Sequence, residues 1–216
     1  MTSAAVRRTP AEKHEERRRA LAESALTTLG ELGYARASLR EIAANSAFSH
    51  GVVHYYFTDK LDLIVTCVRQ YKATCVHRYD GVVDEATTPD GLARAFASAL
   101  VRSVVDEAPM HRLWYDLRAQ AMFTDELREA VLAIDATLEE MVWRVVERYA
   151  DLAGAAPVVG PAAAYGLLDG LFQQALLGHL TARPGALAPL EGEVVRLLPT
   201  LVAPVGHHRH APLAPP

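Results

Sequence analysis

Apolar residues recur at intervals of three and four along almost the whole chain, and no stretch alternates with period two. That pattern predicts an all-α protein. The first helix follows Pro10, a residue suited to a helix start. Leu21, Ala25, Leu29 and Leu32 form its stripe, and Gly33 supplies the stop. Ser38 opens a second short helix with Leu39, Ile42 and Ala43 inward. Ser38 and Glu41 have the spacing of a capping box. Ser49 caps a third helix that ends near Phe57. Thr58 or Asp59 caps a long fourth helix carrying Leu61, Ile64, Val65, Val68 and Tyr71, frayed by Gly81.

Beyond Thr87-Thr88-Pro89 the pattern predicts helices near 90–106, 110–121, 124–152, 160–181 and 187–203. Leu127, Val131, Ile134, Leu138, Val142, Val145 and Tyr149 make the clearest stripe. Residues 162–180 are apolar nearly all round, which calls for burial on several sides in a core or a subunit interface. From Gly206 the chain is rich in histidine and proline, and residues 206–216 are expected to be a disordered tail.

Two short helices joined by a tight turn, the second capped by serine, are the parts of a helix-turn-helix at about 38–57. At 100° per residue, Val53 and Phe57 share one face of the third helix, while Gly51 and Tyr55 share the opposite one. One face is fitted to pack and the other to meet DNA. Gly51 lets backbone approach base edges, Ser49 and its following amides suit a phosphate, and tyrosine and histidine donate to phosphate oxygens.

Charge supports this division only weakly. The net charge is −4, but residues 1–60 carry nine Lys/Arg against seven Asp/Glu, leaving the remainder at −6. Arg17-Arg18-Arg19 reads mainly as a solvated face, with phosphate or minor-groove contact as the other option. The two cysteines, Cys67 and Cys75, stand roughly 12 Å apart along one helix at about 1.5 Å per residue, too far to pair. No apolar run reaches the roughly 18 residues of a membrane span, and the N-terminus has no apolar signal core. The expectation is a cytoplasmic protein with no membrane partner.

The stretch from Gly33-Tyr34 through Ser38-Leu39-Arg40-Glu41-Ile42-Ala43 and Ser49-His50-Gly51-Val52-Val53-His54-Tyr55-Tyr56-Phe57 to Asp59-Lys60-Leu61 resembles the TetR family of bacterial regulators. The resemblance covers roughly residues 15–75. Gly51 to Lys60 looks most like the BetI-type branch, and Leu168-Asp169-Gly170-Leu171-Phe172 also resembles a segment of such proteins. It implies a homodimer, a head that binds double-stranded operator DNA, and a C-terminal helical domain whose small-molecule effector releases the DNA. By matching position, Ser49, His50, Gly51 and Val52 would meet the major groove, and His54, Tyr55 and Lys60 would hold phosphates, with Ser38 also on the DNA side. Ala47 stands where the family usually has glycine in the turn. His50 and His54 stand where it often has lysine and tyrosine.

The expected organisation is therefore a DNA-binding domain at 11–75 and an effector-binding and dimerisation domain at 76–205. In the latter, aromatic and polar side chains within apolar stripes nominate Trp114, Tyr115, Arg118, Tyr165, Asp169 and Phe172 as pocket candidates. An aromatic cage for a quaternary ammonium is conceivable from that content. Asp169 reads first as an interface hydrogen-bonding group. Activator action, or action without an effector, stays open. A helical-bundle enzyme is the rival class, but no Glu-x-x-His pair, phosphate loop or nucleophile–base set is present. No cofactor is expected. His50 and His54 have the spacing of two metal ligands on one helix, but without an obvious third they read as DNA or solvent contacts, so no metal site is expected.

Overall fold

A computed structural model describes residues 9–204. The histidine-rich tail, Arg7 and Arg8 lie outside them. The elements run α1 (Pro10–Arg36), α2 (Leu39–Ala44), α3 (His50–Tyr56), α4 (Lys60–Cys75), α5 (Asp80–Glu85), α6 (Pro89–Asp106), α7 (Ala108–Ala121), α8 (Asp125–Ala153), β1 (Ala155–Pro157), α9 (Pro161–Leu180), α10 (Ala188–Leu197), a 3-10 turn (Leu198–Leu201) and β2 (Val202–Pro204). The described residues are all-α apart from one small ribbon.

Local chemistry sets the helix ends. The reciprocal capping box is at Thr9 and Glu12, where each side chain accepts from the other's backbone N–H at 3.2 and 2.6 Å. At Ser38 the expected box is only half formed. Its hydroxyl accepts from Glu41 N at 3.2 Å, but the Glu41 carboxylate accepts from the Ser38 hydroxyl at 2.8 Å instead of from the cap N–H. Gly33 has φ +75°, which breaks α1, and the chain makes a further turn to Arg36.

The chain forms two compact units. One takes the described residues up to Arg78 together with Asp106–Thr137; the other takes Tyr79–Val105 and the chain from Leu138 onward. The segment around α7 thus belongs with the N-terminal helices, a grouping that sequence order gave no reason to expect. In the first unit α1 packs against α4 and α7, and α2 against α3. Leu21, Ala25, Leu29, Ile42, Val53, Phe57, Leu63, Ile64 and Cys67 form its buried centre, and Leu113, Trp114 and Leu117 add the contribution of α7.

In the second unit Tyr79 meets Phe96 edge to face at 5.1 Å. Arg144 pairs with Asp80 at 3.0 Å, and Arg148 donates to the carbonyls of Val83 and Ala86, so two arginines of α8 fasten α5. The sequence reading has α5 as frayed chain. β1 and β2 pair antiparallel, with Ala156 opposite Ala203. This corrects the expectation of helix to 203: Pro199 and Pro204 cannot supply the amides a longer helix needs. α9 keeps Ala164, Leu168, Ala175, Leu176 and Gly178 buried, while Leu167, Leu177 and Leu180 stand exposed.

Candidate nucleic-acid interface

The turn between α2 and α3 is tied by Ser46, whose hydroxyl donates to Ala43 O and accepts from Phe48 N, both at 3.2 Å. Asn45 lies at φ −99°, and Ala182 is the only non-glycine residue with positive φ among those described. Ala47 therefore sits in the turn without left-handed backbone, and the glycine usual in the family is not needed there. Ser49 then caps α3, its hydroxyl accepting from Val52 N at 3.4 Å.

α3 divides as its periodicity predicts. Val53 and Phe57 are 2% and 1% exposed, with the Arg18 guanidinium 4.9 Å over the Phe57 ring. Ser49, His50, Gly51, His54 and Tyr55 are exposed and Val52 half-buried. Among the described residues, nothing beyond its own helix backbone and chain neighbours lies within 4 Å of where a Cβ at Gly51 would be, so its bareness serves no internal packing there. His50 and His54 bring their Nε2 atoms to 3.1 Å. Tyr55 stacks edge-on against Tyr56, and His14 of α1 lies 4.7 Å from Tyr56.

Ser38 and Lys60 flank this face differently. Ser38 is half-buried and engaged in its cap. Lys60 lies 4.5 Å over the Tyr34 ring and donates to Ala35 O at 3.5 Å, which holds its ammonium at the end of α1. The arginine run is also partly committed. Arg17 covers Phe48 at 4.7 Å, and Arg18 pairs with Asp62 and donates to Thr66 at 2.9 Å. Sequence spacing gives no sign of pairs 44 and 48 residues apart.

Residues 21–67 match the model of the family described as bacterial regulatory proteins, tetR family. That match covers most of α1, all of α2 and α3, and the first half of α4, so the helix-turn-helix is similar to that of TetR-family regulators. The fold of the whole chain is similar to that of solved transcriptional regulators. A putative transcriptional regulator from Saccharomonospora viridis in complex with choline aligns at TM-score 0.70 and 13% identity, over 87% of this chain and 98% of that one. FadR from Bacillus subtilis, in complex with stearoyl-CoA, aligns at 0.67 and 16%, over 82% and 95%. The reduced form of NemR from E. coli aligns at 0.67 and 15%, over 88% and 99%. No curated protein sequence matches the chain. No described helix is long and apolar enough to cross a membrane.

The pocket candidates fall in both units. Trp114, Tyr115 and Arg118 lie together on α7 in the first. Tyr165, Asp169 and Phe172 are half-buried on α9 in the second, at helical spacing along one stripe. Trp114 is 2% exposed, and its indole N–H has no acceptor among the described residues. Lys72, itself 4% exposed, places its ammonium 5.2 Å from the Trp114 ring, and the Arg118 guanidinium lies 5.9 Å away while pairing with Asp135 at 3.3 Å. Sequence reasoning missed Lys72, because a lysine within a charged helix pattern carries no mark of burial. Beside it, Tyr71 and Arg78 both bond Glu107, joining α4 to the start of α7. Burial, reinforced by Cys75 and Glu107, pushes the Tyr71 phenol well above its ordinary range.

Proposed function

We propose that the chain is a homodimeric repressor, with a head at 11–75 that binds operator DNA and an effector-binding and dimerisation domain at 76–205. The observation that carries this reading is the outward face of α3, a capped helix anchored by Val53 and Phe57 that presents His50, Gly51, His54 and Tyr55. In this reading Ser49, His50, Gly51 and Val52 enter the major groove, and Ser38, His54, Tyr55 and Lys60 hold phosphates. The exposed leucines of α9 support a dimer, because such a face is stable in water only when covered.

A small-molecule effector releases the DNA in this proposal. The orphan indole N–H of Trp114 supports a ligand that brings an acceptor oxygen, since an unsatisfied buried donor costs about 1–3 kcal/mol. Choline is bound by the Saccharomonospora protein, and a BetI-like assignment would suggest a similar cation. At Trp114 two cations already flank the ring, which disfavours a third there. Tyr115 and Arg118 adjoin that donor, and Tyr165, Asp169 and Phe172 are the α9 contribution to the effector domain.

Selection from a random duplex library tests the DNA reading. A consensus with two half-sites is expected, and Lys60→Ala should weaken binding to all sequences and lower the salt slope by about one. His50→Ala should alter the selected bases. Failure to enrich any sequence, with retention unaffected by either substitution, would overturn the proposal.

A further inference from the structure

We propose that His50 and His54 form a two-imidazole chelate for a divalent transition-metal ion of the zinc, nickel or copper class on the exposed face of α3. The two side chains are four residues apart on one helix, the arrangement in which two imidazoles reach one ion. Their ring centroids are 4.3 Å apart, the planes are crossed at 75°, and the Nε2 atoms converge to 3.1 Å. Two nitrogens bound about 2.0–2.1 Å from one ion, at angles between square and tetrahedral, stand about 2.9–3.4 Å apart. The observed spacing falls inside that window before any ion is present. Imidazole is the ligand shared by these ions.

The fold does not need this pair. α3 packs through Val53 and Phe57, and both histidines are exposed. The contact between them is a hydrogen bond in which one Nε2 carries the proton. For both lone pairs to face an ion, that ring passes its proton through solvent to its own Nδ1. A neutral pair thus changes tautomer with no net proton release. Among the described residues no third histidine, cysteine or carboxylate completes a protein cage. Water fills the other positions, so the site is open and exchangeable.

The consequence for regulation rests on the DNA reading above; the site itself does not. An ion there would draw both imidazoles onto one point and away from base edges while adding positive charge. Sequence preference would fall, while salt-dependent attraction to any duplex would remain.

Calorimetric titration of Zn2+ into the full chain, without DNA, tests the site. His207, His208 and His210 are replaced by alanine in the reference protein so that they cannot contribute. One ion per chain is expected, weakened roughly tenfold or more by His50→Ala and by His54→Ala, since losing a ligand outright costs at least as much as losing its supporting partner. His14→Ala should leave the titration unchanged. Circular dichroism checks that each variant is folded. Independently, Cu2+ added to the reference protein should broaden the NMR signals of His50 and His54 first. Absence of binding, binding that survives both substitutions, or first broadening at His77 or His179 would overturn the proposal. Because the titration contains no DNA, a failed operator selection does not decide it.

Discussion

The backbone N–H of Tyr34 donates to Asp116 Oδ2 at 2.8 Å, joining the kinked end of α1 to the middle of α7. One turn earlier on α7, Arg112 donates to the carbonyls of Gly30 and Glu31. The Tyr34 ring in turn lies under Lys60. Trp114 stands between Arg112 and Asp116 in sequence but points to the buried side. α7 therefore grips α1 with one face and meets Lys72 of α4 with the other. Trp114, a proposed ligand contact, and the placement of Lys60 are linked through a few named groups.

Asp116→Ala removes the acceptor of the Tyr34 amide. Stability should fall by about 1–3 kcal/mol, the usual cost of stranding a partly buried donor. Urea unfolding measures this, and Asp116→Asn, which keeps an oxygen, should lose less. DNA affinity should fall with it through Lys60; an unchanged affinity would disconnect α7 from the head.

Gly33→Ala forces a side chain into a backbone at φ +75°, ψ 174°, a region essentially confined to glycine, where strain costs about 1–3 kcal/mol. Its Cβ would also lie 3.2 Å from Asp116 Oδ2. The two substitutions should therefore couple. In a double-mutant cycle with Asp116→Ala, the measured losses should not add.

The two thiols should be inert in the native protein. Burial pushes both Cys67 and Cys75 above the ordinary value of 9.0, and for Cys75 the charges of Lys72 and Arg78 only partly oppose it. A thiol reagent at pH 8 should react with neither until urea is added. The sign of the linkage follows. The native state holds these protons and the unfolded chain releases them above about pH 9. Their stabilising effect is complete below that value and declines as pH rises, by up to about 1.4 kcal/mol per pH unit for each thiol. Unfolding free energies from pH 8 to 10.5 should fall less steeply in the Cys67→Ala/Cys75→Ala protein.

Leu167, Leu177 and Leu180 are 47%, 64% and 42% exposed on α9. Leu167→Glu with Leu177→Glu should convert a dimer to monomers, measured by light scattering, with helicity retained. A parent protein that is monomeric at micromolar concentration would exclude α9 as the covering face.

Much of this was legible from residue order because it depends on local rules. Gly33, the Ser49 cap and the Val53/Phe57 face follow from periodicity and backbone preference, and the family resemblance rested on the same short span. What stayed hidden depends on contacts between distant residues. Nothing in the order of residues pairs Arg18 with Asp62, buries Lys72 beside Trp114, or assigns Asp116 to the end of α1. The Ser38–Glu41 box failed for a subtler reason: the spacing was right, but the carboxylate found a nearer proton on the serine hydroxyl.

The ribbon of β1 and β2 has a kinetic consequence. Its three residue pairs, with Val158 N donating to Leu201 O at 2.8 Å, join the ends of the segment that contains α9 and α10. α10 cannot fray from its C-terminal end until that clasp unzips. In amide hydrogen exchange α9 and α10 should therefore open together as one cooperative unit, with the Val158 amide exchanging at the same rate as the interior of α10.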